Sequence, residues 1–212
     1  MNSGVQIVFS LCILFFSVII HEVAHGFVAL WCGDPTARDS GRLTLNPVSH
    51  IDLVGTIILP IILFISVGFA FGWAKPVPIN PYNFRNPKKD TMLVGLSGPL
   101  SNIILALITG LLLRMGLLGI IPIGRGFVFF LLFASVINII LALFNLIPIP
   151  PLDGSRILMG FLPHKQALFL SRIEPYGMLI VLVLLMAGIF QHVIMPLARI
   201  LLRIIIGSPG LF

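Results

Sequence analysis

Long apolar runs alternate with short polar ones along the chain. The apolar runs occupy Val5 to Cys32, Leu53 to Phe71, Met92 to Leu113, Phe127 to Ile147 and Ile173 to Phe190, with a shorter tail from Val193 to Ile206. Each long run approaches the roughly 20 apolar residues that a helix needs to cross the hydrocarbon core of a bilayer. The pattern predicts an all-α polytopic membrane protein, a helical bundle of about five to six membrane segments. Between the runs, Gly33 to Asp52 is polar. Trp73 to Asp90 is rich in proline and asparagine, and Lys75-Pro76-Val77-Pro78-Ile79-Asn80-Pro81 forbids helix and predicts a Pro-rich extended or turning loop. After Pro196 the tail carries Arg199 and Arg203 on one helical face, so residues 193–212 read as an interfacial helix rather than a span. Residues 1–212 form a single membrane-embedded domain on this reading.

Composition narrows the function classes. Of 212 residues, 58% are hydrophobic and 9% charged, and the mean hydropathy is +1.13. The formal charge of +6 sits in short loops between apolar runs. That placement suits lipid headgroups and gives no support to nucleic-acid binding. Met1 to Gly4 carries no basic residue, and the run continues to Trp31 without a small-residue cleavage site, so the first span is expected to stay uncleaved. Cys12 and Cys32 share that span about 30 Å apart and cannot pair with each other.

Two motifs interrupt the apolar background. His21-Glu22-Val23-Ala24-His25 lies within the first run. Histidines at i and i+4 project from one helix face and can share a zinc ion, while the glutamate between them can take a proton from water. A charged side chain at membrane depth costs on the order of 2.5 kcal/mol or more without a partner or a task, which argues against a chance pentapeptide. The second motif ends the fourth run: Asn145-Leu146-Ile147-Pro148-Ile149-Pro150-Pro151-Leu152-Asp153-Gly154. Its prolines break the helix and are expected to leave Asp153 on non-helical chain, tolerated at membrane depth only where it is buried or lines a cavity. Glu22 and Asp153 are the acidic residues most closely hemmed in by apolar sequence. Asp153 is therefore the natural third zinc ligand, with a turn-starting Asp-Gly as the alternative.

His21-Glu22-x-x-His25 and Asn145-x-x-Pro148 with Leu152-Asp153-Gly154, separated by Gly98-Pro99-Leu100-Ser101-Asn102, resemble the site-2 protease family of intramembrane zinc metalloproteases. Leu45-Asn46-Pro47, His50-Ile51-Asp52 and Gly72-Trp73-Ala74-Lys75-Pro76 resemble its compact members, which lack an inserted PDZ or an appended CBS domain. The resemblance implies one zinc per chain held by His21, His25 and Asp153, with Glu22 as general base and Asn145 as a polar group near the scissile carbonyl. It also implies a membrane-spanning protein substrate cleaved within or near its transmembrane segment. A metal transporter or a non-enzymatic membrane scaffold is the alternative.

One metal site constrains the topology. If Asp153 meets His21 and His25, the first and fourth runs must point the same way, so only one of the two runs between them can cross. Leu53 to Phe71, interrupted by Pro60 and Gly68, is the expected re-entrant segment, with a plain six-span protein as the competing arrangement. Arg38, Arg42, Lys75, Arg85, Lys88 and Lys89 then share a side with Arg156, Lys165 and Arg172, whereas Arg114 and Arg125 lie opposite. The basic side is expected to be cytosolic, in the plasma membrane of a prokaryote. His50, Asp52 and the Pro/Asn-rich stretch are candidate walls of a water-filled cavity, with ordinary loop polarity as the alternative. Gly95, Gly98 and Asn102 are expected to serve close helix packing.

Overall fold

The computed structural model describes residues 3–58, 62, 65 and 74–207. Among them every regular element is helical. Helix α1 covers Ser3–Trp31 and ends at Gly33, whose φ of 110° turns the chain out of the helix. A short helix α2 (Thr36–Asp39) follows, then a 3-10 turn at Pro47–His50 and a π-helical turn at Leu53–Ile58. Residues 74–80 carry no regular structure, as their prolines require, and lead through a 3-10 turn at Pro81–Asn83. Helix α3 (Pro87–Leu117) starts inside the proline-rich stretch, because proline is well suited to the first helical position and the Asn86 side chain accepts from Lys89 N at 3.3 Å.

Helix α4 covers Arg125–Asn145, α5 Asp153–Phe161, α6 His164–Ile173, α7 Gly177–Met186 and α8 Met195–Ile206. Among the described residues, four helical stretches are long and apolar enough to cross a membrane: 4–31, 87–117, 125–145 and 165–186. The last begins earlier than its apolar run, because amphipathic α6 precedes the lipid-like sequence and joins α7 through a 3-10 turn at Glu174–Tyr176. Large apolar side chains on the first half of α1, among them Val5, Ile7, Val8, Phe9 and Leu11, are exposed, as a lipid-facing surface requires.

Bonds between helices fix their directions. On α1, Ser17 and His21 reach Asn102 of α3, whereas His25 reaches Val94, so these helices are antiparallel. Asn102 and Thr109 of α3 meet Asn138 and Ser135 of α4, again antiparallel. Helices α1 and α4 therefore point the same way. Arg85 N donates to Cys32 O at 3.2 Å, so the chain between α1 and α3 ends beside where it began. Most of Leu53 to Phe71 lies outside the described residues.

Two apolar clusters bracket the bundle. Ala106 and Leu113 of α3, Leu131 and Ile139 of α4, and Ala198, Leu202, Ile205 and Ile206 of α8 form one. Ala29, Cys32, Phe84 and Val94 form the other. Arginine-bearing α8 thus packs an apolar face onto α3 and α4. Between the clusters lies a buried polar layer of Ser17, His21, His25, Asn102, Asn138 and Asp153.

Candidate metal centre

The helix period sets Ser17, His21 and His25 on one face of α1, turned toward α3 and α4. His21 and His25 are 6% and 3% exposed, so neither ring is solvated by bulk water. Their Nε2 atoms are 3.1 Å apart. Asp153 Oδ2 lies 3.0 Å from His21 Nε2 and 3.2 Å from His25 Nε2. The prolines after α4 do end that helix, but Asp153 is the first residue of α5 and not part of an irregular loop. A carboxylate in the first turn is favoured by the helix dipole, and the Ser155 hydroxyl donates to Leu152 O at 2.7 Å. A Cβ on Gly154 would strike the carbonyl oxygens of Leu146 and Ile147, so only glycine lets α5 begin this close to the end of α4.

Each histidine is held from behind. His25 Nδ1 donates to Val94 O at 2.7 Å, and a carbonyl can only accept, so its Nε2 lone pair faces Asp153. His21 Nδ1 meets Asn102 Oδ1 at 2.6 Å. Asn102 was expected to serve helix packing; it also bonds this ring. Gly95 and Gly98 do serve close approach: a Cβ on Gly98 would stand 2.5 Å from His25 Nε2 and 2.6 Å from His21 Nε2.

Three lone-pair atoms within 3.2 Å of one another repel unless a cation is shared among them. Ligand bonds of about 2.0–2.2 Å around tetrahedral zinc place N and O donors roughly 3.3–3.5 Å apart, close to the spacing found. The donor set fits zinc. Arg156 Nη1 approaches the other carboxylate oxygen of Asp153 at 3.9 Å.

Glu22 points to the same place, with a carboxylate oxygen within 4.8 Å of donor nitrogens on both histidines. Its Oε2 accepts from Val77 N at 2.9 Å. The stretch that carries Val77 is clamped on both sides. Lys75 N donates to His50 O at 2.9 Å, and Arg42 Nη2 donates to Lys75 O at 2.7 Å. Beyond Val77, Asn80 N and Asn83 Nδ2 donate to the buried Asp34 carboxylate at 2.7 and 2.8 Å. Burial would raise the Asp34 pKa, but these bonds and those from Thr36 outweigh it and lower it. His50 is fully buried with Nε2 on Thr44 O at 2.8 Å, so it supports the clamp. Asn145 is half-buried and donates to Leu141 O in its own helix at 3.0 Å.

Comparison with known proteins gives the same chemistry. The model of peptidase family M50 matches residues 57–188. YwhC of Bacillus subtilis is 38% identical over 188 residues, covering 87% of this chain and 83% of YwhC. Rip2 of Mycolicibacterium smegmatis is 31% identical over 170 residues, covering 80% of this chain and 63% of Rip2. Zinc metalloprotease MJ0392 of Methanocaldococcus jannaschii is 26% identical over 165 residues, covering 78% of this chain and 38% of that protein. No solved structure matches.

Proposed function

The chain belongs to peptidase family M50 and is a zinc metallopeptidase built on membrane-type helices, and we propose that it hydrolyses peptide bonds within or near transmembrane segments of membrane-protein substrates. One observation carries this reading: His21, His25 and Asp153 converge in the buried polar layer of a bundle whose outer surface is apolar, with half-buried Glu22 beside the two histidines. His21 Nε2, His25 Nε2 and Asp153 Oδ2 would hold one zinc per chain. Bound zinc supplies Lewis acidity toward the scissile carbonyl and toward the attacking water.

The chain's own residues do the rest. Glu22 takes the water's proton and passes it to the leaving amine, and Val77 N holds its carboxylate in place for both transfers. Asn145 offers its second amide hydrogen to the scissile carbonyl. A helical substrate must unwind first, because its peptide groups are occupied by their own hydrogen bonds. Basic residues at the end where α1 stops and α3 starts support a cytosolic location for that end in a prokaryotic plasma membrane.

Glu22→Gln tests the mechanism with purified protein and a membrane-spanning test substrate. Turnover should fall by at least about 10²–10⁴-fold with zinc content unchanged. Wild-type turnover with zinc retained would sink the proposed proton path through Glu22.

A further inference from the structure

His21 and His25 are oriented by different means. Behind His25 stands a main-chain carbonyl, Val94 O, which cannot reverse its polarity. Behind His21 stands the Asn102 amide, whose two ends are nearly equal in size and opposite in character. If that amide turned over, its NH₂ would face Nδ1. The ring hydrogen would then move to Nε2 and point at the metal position.

Something must hold the amide. Asn102 Nδ2 donates to Asn138 Oδ1 at 2.7 Å and lies 3.4 Å from Ser17 O. Asn138 Nδ2 in turn donates to Ala134 O at 2.8 Å and to Ser17 Oγ at 2.9 Å. Asn102, Asn138 and Ser17 are 0%, 2% and 4% exposed, so no bulk water can substitute for a wrongly turned group.

Bond direction therefore propagates. Ala134 O only accepts, so the NH₂ of Asn138 must face it and the Asn138 oxygen must face α3. That oxygen only accepts, so Asn102 presents its NH₂ to Asn138 and its oxygen to His21. His21 must then carry its hydrogen on Nδ1 and turn an Nε2 lone pair toward Asp153.

We propose that Asn138, on a helix that supplies no ligand, is a positioning residue that sets the tautomer of His21 through Asn102. The inference rests on His21 being a zinc ligand. Substituting a group that hydrogen-bonds the far nitrogen of a metal-bound histidine typically changes metal affinity by about 10–100-fold.

Zinc affinity of chelator-stripped full-length protein in detergent, measured by competition with a chromophoric chelator, tests it without reference to catalysis. Asn138→Leu removes the polarity while keeping a side chain branched at Cγ, and should weaken zinc binding by about 10–100-fold. Asn138→Asp, which as a neutral acid still offers one donor and one acceptor, should stay within about threefold of wild type. Asn102→Asp combined with Asn138→Leu should recover most of the loss, since a carboxylate presents oxygen to His21 whichever way it turns. If Asn138→Leu does not fold, Asn138→Met, with a more adaptable side chain, asks the same question. Wild-type affinity in the apolar variant, or equal losses in the Leu and Asp variants, would overturn the relay. Failure of the ligand assignment has a different signature, namely full zinc affinity in His21→Ala.

Discussion

Gly98→Ala should weaken zinc binding at the proposed site while leaving most of the fold intact. The added Cβ would stand 2.5 Å from His25 Nε2 and 2.6 Å from His21 Nε2, against an ordinary contact of 3.4–4 Å. Neither ring can retreat freely, because each is tied through Nδ1, to Val94 O at 2.7 Å and to Asn102 Oδ1 at 2.6 Å. Metal–ligand distances tolerate only about ±0.2 Å, so a displacement of several tenths of an ångström takes at least one donor out of range. Overpacking of this kind costs about 1–3 kcal/mol, which corresponds to roughly 5- to 150-fold in zinc affinity. Helix propensity acts the other way, since alanine is favoured over glycine by about 1 kcal/mol in a helix interior. A competition titration of stripped protein gives the affinity, and a thermal melt of the metal-free form reports any general damage. Gly110→Ala is the control: on the same helix its Cβ would meet Ile205 Cγ2 at 2.5 Å, in the other apolar cluster. It should destabilise packing and spare zinc. Unchanged zinc affinity in Gly98→Ala, or an equal loss in Gly110→Ala, would refute the reasoning.

Asp153→Ala should reduce zinc affinity by more than about 100-fold, beyond the usual effect of a supporting residue, and elemental analysis showing full occupancy would exclude Asp153 as a ligand. Single cysteines at the exposed positions 38 and 88, with Cys12 and Cys32 replaced, should resist an impermeant thiol reagent in intact cells and react after lysis; labelling of one position alone from outside would contradict the shared end of α1 and α3. The lowered pKa of Asp34 means that its bonds to Thr36, Asn80 and Asn83 stabilise the fold above the ordinary value of 3.8 and lose that effect as pH falls through the depressed folded value. Asp34→Ala should therefore lower stability at neutral pH by about 1–3 kcal/mol, with a deficit that shrinks below about pH 4 in pH-dependent melts; a deficit constant across pH would dismiss the clamp.

The sequence determined the parts of this protein that depend on composition and local spacing. Apolar runs long enough for a bilayer dictate helices, because in lipid the backbone must satisfy its own hydrogen bonds. Histidines four residues apart on such a helix must share a face whatever surrounds them. The demand that Asp153 meet that face already required the first and fourth runs to be parallel, and the bonds of Ser17, Asn102 and Asn138 show them so. Other features depend on contacts between residues far apart in the chain. The sequence marks Asn102 and Asn138 only as polar residues in apolar runs; that one holds His21 and the other holds Asn102 follows from three helices meeting at one depth. Val77 carries no chemical signal at all, yet its main-chain N–H fixes Glu22 because Asp34, Arg42 and His50 clamp the stretch that bears it. Asp153 illustrates the same division. Its neighbouring prolines foretold a broken helix, but only the packing of Gly154 against the end of α4 made the next residues start a new one with the carboxylate turned inward. Periodicity is a property of neighbours along the chain, whereas hydrogen-bond direction and steric room at a site belong to atoms that folding alone brings together.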